Sequence, residues 1–148
     1  MRYPRGQGPR EFPDTSLNTV DVGRAITRRE GQSGIVILAF GSRVFEALTV
    51  SEQVDATLID MRWVKPLDQD ILAHHANAKL IVTVEEHQRM GGAGSAVGEY
   101  YNDQGISVNL LSLGLPDRYE AHGKPDAMLS RAGLDATGIR SAIEKRLS

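Results

Sequence analysis

Leu80-Ile81-Val82-Thr83-Val84, followed at once by Glu85-Glu86 and then by Gly91-Gly92-Ala93-Gly94, is the stretch that decides the fold. A strand with one wet face alternates apolar and polar residues, whereas this run does not alternate. It reads as a strand covered by helices on both faces, the habit of parallel sheets. The glycine-rich turn after it opens a helix that ends near Gly105, a natural residue for the position just past a helix.

The same unit recurs on either side. Upstream, Ile35 to Phe40 is a second fully apolar strand, and Ser42 is placed to cap a helix with Val44, Ala47 and Leu48 on one face. Thr57 to Met61 is a further strand. Pro66-Leu67-Asp68 then restarts a helix, with Asp68 as N-cap and Leu67 and Leu72 as a hydrophobic staple. Downstream, Val108 to Leu113 is the last strand, followed by one helix after Pro125 and another capped by Asp135. The latter places Ala136, Ile139, Ile143 and Leu147 on one face. Ahead of all these, Val20 to Thr27 reads as a strand joined to Ile35–Phe40 by the short turn Glu30 to Gly34, so the two are expected to pair antiparallel. The fold class that follows is α/β: a three-layer, doubly wound, mostly parallel five-stranded sheet with one antiparallel edge strand.

Residues 1–19 differ in kind. They hold Pro4, Pro9 and Pro13, with Arg2, Arg5 and Arg10 ahead of the first acid, Glu11. Such a segment builds no core, so the expected division is an arm over 1–19 and a domain over 20–148. A chain of 148 residues with 41% hydrophobic and 24% charged residues has the composition of one ordinary globular domain. The absence of cysteine excludes disulfide scaffolds, thiolate metal sites and a cysteine nucleophile. A net charge of −2 carries no general nucleic-acid footprint. The apolar runs are too short to span a bilayer, and the basic N-terminus lacks the apolar stretch of a secretory signal, so a cytoplasmic protein without membrane partners is expected.

The motifs stop short of a catalytic set. Gly92-Ala93-Gly94 has Val97 where a dinucleotide-binding fingerprint needs its third glycine. Leu111-Ser112-Leu113 stand where the ribose-binding acid belongs, so close packing of helix on strand is the better reading of the turn. Ser95 lacks the flanking glycines of a nucleophile elbow, and Pro125 after Gly123-Lys124 cannot complete a phosphate-binding loop. His74, His75, His87 and His122 show no pair at zinc-binding helical spacing and read as solvated residues. Glu85 and Glu86 alternate across their strand and so cannot work as a paired acid and base, one being expected to face a partner surface and the other solvent. No catalytic, cofactor-binding or metal-ligating residue is therefore assigned. The arginine arm reads, from its residues alone, as a solvated tail, with an anion clamp as the alternative.

A resemblance adds to this. Tyr3-Pro4-Arg5-Gly6, Ile37-Leu38-Ala39-Phe40-Gly41, Asp60-Met61-Arg62-Trp63-Val64-Lys65-Pro66-Leu67-Asp68, Val82-Thr83-Val84-Glu85-Glu86, Met90 to Val97 and Leu113-Gly114-Leu115-Pro116-Asp117-Arg118-Tyr119 occur in that order. Together they resemble the C-terminal domain of the 1-deoxy-D-xylulose-5-phosphate synthases, from the first residues to Gly133-Leu134-Asp135-Ala136. The transketolases and the β subunits of 2-oxoacid dehydrogenases share the fold with a vaguer version of these blocks. His87 departs from the asparagine usual there.

The resemblance implies a transferase that joins pyruvate to glyceraldehyde 3-phosphate with release of carbon dioxide, feeding isoprenoid, thiamine and pyridoxal synthesis. It implies thiamine diphosphate and magnesium bound by domains absent from this chain, a homodimer in the intact enzyme, and no catalysis by the fragment. It also implies that Arg5 binds the phosphate of the aldehyde substrate, which favours the clamp over the tail. The alternatives are a nucleotide-binding or regulatory module on the same fold, or the C-terminal domain of a 2-oxoacid dehydrogenase β subunit.

Overall fold

The computed structural model describes residues 19–148. Five strands form one sheet: β1 (Ile26–Arg29), β2 (Ile35–Ala39), β3 (Thr57–Asp60), β4 (Leu80–Gln88) and β5 (Leu110–Leu115). Their spatial order is β1-β3-β2-β4-β5, with β2 to β5 parallel and β1 antiparallel to β3. Five α-helices cover it: α1 (Val44–Gln53), α2 (Gln69–His74), α3 (Ala93–Asp103), α4 (Pro125–Arg131) and α5 (Ala136–Leu147).

Strand alternation sorts the core into two halves. Ile35, Ile37, Ala39, Leu58, Leu80, Val82 and Val84 face one way, where Val44, Ala47 and Val50 of α1 and Ile139 and Ile143 of α5 pack. Val36, Leu38, Ile59, Met61 and Ile81 face the other, against Leu72 of α2 and Ala93, Val97 and Tyr101 of α3. Every residue of β2 is buried, as the absence of alternation requires. The structure is thus the expected three-layer, doubly wound, mostly parallel sheet with one antiparallel edge.

The partner of that edge strand is corrected. β1 does not form a hairpin with β2. Both edges of β2 are taken in parallel by β3 and β4, which leaves β1 the outer edge of β3. Residues 30–34 therefore cross the end of β3, bridging two strand spacings of about 9.6 Å, well within reach of five residues. Asp55 holds this crossing by accepting from the Gln32 N–H at 3.1 Å, and its carbonyl accepts from Ser33 Oγ at 2.9 Å. The amphipathic sequence Ile26-Thr27-Arg28-Arg29 suits an edge, and Arg28 pairs with Asp60 of β3 at 2.9 Å.

Boundaries shift at three further points. The first strand begins at Ile26 rather than Val20, β4 continues through Glu85-Glu86 to Gln88, and β5 spans 110–115 rather than 108–113. The caps at Asp68 and Asp135 stand as read, accepting from Ile71 N at 3.2 Å and Gly138 N at 2.8 Å. Ser42 does not cap α1. It lies in a short 3-10 turn, Arg43 precedes the helix, and no side chain caps it.

Candidate functional site

The strand order reverses direction between β2 and β4, and at such a switch point the connections leave in opposite directions and open a crevice at the carboxyl ends of the strands. A cleft of about 520 Å³ lies there, lined by Phe40 and Gly41 after β2, Glu85, Glu86 and His87 of β4, Gly92 and Ala96 around the start of α3, and Val64 after β3.

Its chemistry is set by the two adjacent glutamates, which strand alternation sends to opposite faces of the sheet. Glu85 is buried and turns towards α3. Its Oε2 accepts from Ala93 N and its Oε1 from Gly94 N, both at 2.8 Å. The first backbone donors of α3, and the positive end of its dipole, are thereby satisfied by the protein's own carboxylate. The glycines make this possible. A Cβ on Gly92 would fall on the Glu85 carboxylate, and one on Gly94 would lie 2.5 Å from Thr83 Oγ1. The close-packing reading of the turn is what the structure shows, and the place where a nucleotide phosphate would sit is filled.

Glu86 turns the other way, towards the start of α1. Its Oε2 accepts from Ser42 Oγ at 2.7 Å and lies 3.6 Å from Arg43 Nε. Arg43 is itself buried, donates to the carbonyl of Leu134 at 3.2 Å and pairs with Glu46 at 3.4 Å. This guanidinium ties the β2–α1 turn to the loop between α4 and α5. Of the expectation that one acid faces a partner surface and the other solvent, the second half stands and the first is corrected: Glu86 is exposed and holds Ser42, whereas Glu85 is buried as an internal helix cap. The sequence reading did not single out Arg43. Its only signal was an arginine directly after an apolar strand and a glycine.

The remaining candidates stay apart. His87 and His122 are exposed, in keeping with the solvated reading, and His74 and His75 stack edge to face at the end of α2. Burial, and to a lesser degree the neighbouring His74, lowers the pKa of His75 below its ordinary value of 6.5, against an opposing pull from Glu30. Tyr101, buried and donating to the carbonyl of Leu72 at 2.8 Å, is pushed up to about 12 by burial. Arg5 lies outside the described residues. Among the described residues no group of three or more His, Asp or Glu side chains is placed to hold a metal ion, and no helix is long and apolar enough to cross a membrane. The cleft holds a cap and a brace rather than an acid–base pair.

Comparison with known proteins agrees with this geometry. Residues 23–139 match the family model described as transketolase, C-terminal domain. The 1-deoxy-D-xylulose-5-phosphate synthase of Marinomonas sp. (strain MWYL1) is 51% identical over 148 residues, which is all of this chain and 24% of that protein. Those of Pseudomonas syringae pv. syringae (strain B728a) and Pseudomonas aeruginosa (strain LESB58) are 50% and 49% identical over 149 and 148 residues. The chain thus spans about a quarter of the length of the curated relatives it matches. Among solved structures, a split-gene transketolase described as an inactive β4 tetramer superposes with a TM-score of 0.79 at 28% identity, covering 93% of this chain and 45% of that one. Transketolase from Campylobacter jejuni, at 14% identity and a TM-score of 0.55 over 85% of this chain and 19% of its own, shares the fold. With its doubly wound sheet, its self-capped switch point and these matches, the chain belongs to the transketolase C-terminal domain family.

Proposed function

We propose that residues 20–148 are the C-terminal domain, and residues 1–19 the connecting arm, of a cytoplasmic, homodimeric synthase. That enzyme condenses pyruvate with glyceraldehyde 3-phosphate, giving 1-deoxy-D-xylulose 5-phosphate and carbon dioxide for isoprenoid, thiamine and pyridoxal synthesis. The observation that carries the reading is identity of about one half, along the whole chain, to relatives named for that activity. The split-gene transketolase, at 28% identity, supports a thiamine-diphosphate enzyme of transketolase type.

The described residues do not fit the cofactor itself. The helix N-terminus at the switch point is capped by Glu85, and among the described residues no acidic cluster is placed to hold a magnesium ion. No step is derived through either group. Any residues that hold these two groups would therefore lie in other parts of the longer enzyme. Arg5 is the one substrate residue in the proposal. Its planar fork, beside Gly6 and after the rigid Pro4, suits the phosphate of the aldehyde. The capped helix weighs against the nucleotide-binding alternative.

Two assays test the reading. The chain alone, given pyruvate, glyceraldehyde 3-phosphate, thiamine diphosphate and magnesium, is expected to show no turnover. Joined behind the first three-quarters of the Marinomonas relative it is expected to complete an active enzyme, and an inactive but folded fusion contradicts the proposal. In that fusion Arg5→Ala removes a charge-assisted bond of about 1.5–3 kcal/mol, a loss of about 10- to 150-fold in kcat/KM for glyceraldehyde 3-phosphate. Unphosphorylated glyceraldehyde is spared. Equal loss on both aldehydes makes Arg5 structural.

A further inference from the structure

The switch-point cleft stays open although the cap and the brace beside it are complete. Its volume of about 520 Å³ is that of a small-molecule pocket. The walls are largely apolar: Phe40 at the end of β2, Val64 after β3, and Ala93 and Ala96 on α3. Gly41, Gly91 and Gly92 add backbone without side chains.

The charge on these walls has one sign. Three lining residues are glutamates, Glu85, Glu86 and Glu99, and none is a lysine or an arginine. They differ in what they already hold. Glu85 gives both oxygens to the N–H groups of Ala93 and Gly94, and Glu86 is shared between Ser42 and Arg43. Glu99 is exposed and lies three residues beyond Ala96, on the same face of α3. It enters none of the ion pairs among the described residues. An anion is refused here, because the helix donors it would need are taken and the carboxylates repel it. A bare metal ion lacks ligands, since among the described residues no three His, Asp or Glu side chains are placed to hold one. An apolar body that carries a single positive charge suits both the walls and the unpaired carboxylate.

We propose that the cleft is a binding site for a small organic cation, an apolar or aromatic ring bearing one protonated amine. The ring lies against Phe40, Val64 and Ala96, and the ammonium group pairs with Glu99. This chain alone supplies every residue of the site, so the site stands or falls separately from the synthase reading.

Three probes of one shape and different charge test this: benzylammonium, benzyl alcohol and benzoate, each titrated into the chain near neutral pH and followed by amide NMR. Benzylammonium is expected to shift the amides of Gly41, Val64, Gly92 and Ala96 and to bind about fivefold more tightly than benzyl alcohol. Benzoate is expected to give no saturable shift. Glu99→Gln brings benzylammonium down to the affinity of benzyl alcohol, whereas Glu144→Gln, on α5, leaves it unchanged. Ala96→Phe fills the cleft from the side of α3 and abolishes binding of both. Benzoate that binds as tightly as benzylammonium overturns the proposal. So does a benzylammonium titration that moves none of these amides, or an affinity that Glu99→Gln leaves intact.

Discussion

The two turns that flank the switch-point cleft solve one problem in opposite ways. After β4, the helix start is closed from inside: buried Glu85 takes two backbone donors of α3, and glycines at 92 and 94 let strand and helix approach closely. After β2, α1 begins without a side-chain cap, and a buried arginine is braced instead by Glu46, Glu86 and a distant carbonyl. Adjacent glutamates serve the two turns because consecutive strand residues point to opposite faces. One acid is therefore a structural anion in a dry site and its neighbour a half-wet partner to a hydroxyl. Two neighbouring residues of one type are therefore expected to contribute unequally to stability.

Substitutions measure that difference. Glu85→Ala leaves two buried donors unsatisfied where charge-assisted bonds stood, and urea denaturation is expected to show a loss of about 3–5 kcal/mol. A loss under about 1 kcal/mol would make the two turns equivalent. Arg43→Met keeps the volume but frees the Leu134 carbonyl and strands Glu46, and about 2 kcal/mol is expected, less than for a fully buried pair because Glu46 is partly wet. Glu86→Gln still accepts from Ser42 and is expected to cost less than about 1 kcal/mol.

The smallest effect lies away from both turns and serves as their control. His75 has a folded pKa below 6.5, so the folded state binds fewer protons than the unfolded state. The stability this contributes is present above pH 6.5 and is lost as the pH falls through the folded value. Denaturation between pH 7.5 and 5 is expected to show a shallow decline that His75→Gln flattens and Glu86→Gln leaves in place.

How much of this the sequence disclosed follows from range. Asp68 and Asp135 were legible as caps because each reaches a donor three residues on. The two buried central strands were legible because covering both faces abolishes alternation. Glu85 was not, since its donors lie eight and nine residues downstream beyond a turn whose closeness only three dimensions show. Ser42 carried a correct local cap signal, overridden when the chain spent three residues in a 3-10 turn and the hydroxyl found Glu86. The position of β1 was hidden for a like reason. A five-residue connection fits a hairpin or a crossing of one strand end, and only competition among strands for β2 decides. The family blocks supplied the assignment of Arg5, which no spacing rule supplies.

The switch-point helix is closed by the protein's own carboxylate. Amide exchange at Ala93 and Gly94, read residue by residue by NMR, tests it directly. Slow exchange is expected in the native chain and in Glu86→Gln, and exchange at least tenfold faster in Glu85→Gln. Amides already fast in the native chain, or equally slow in both variants, would contradict the account.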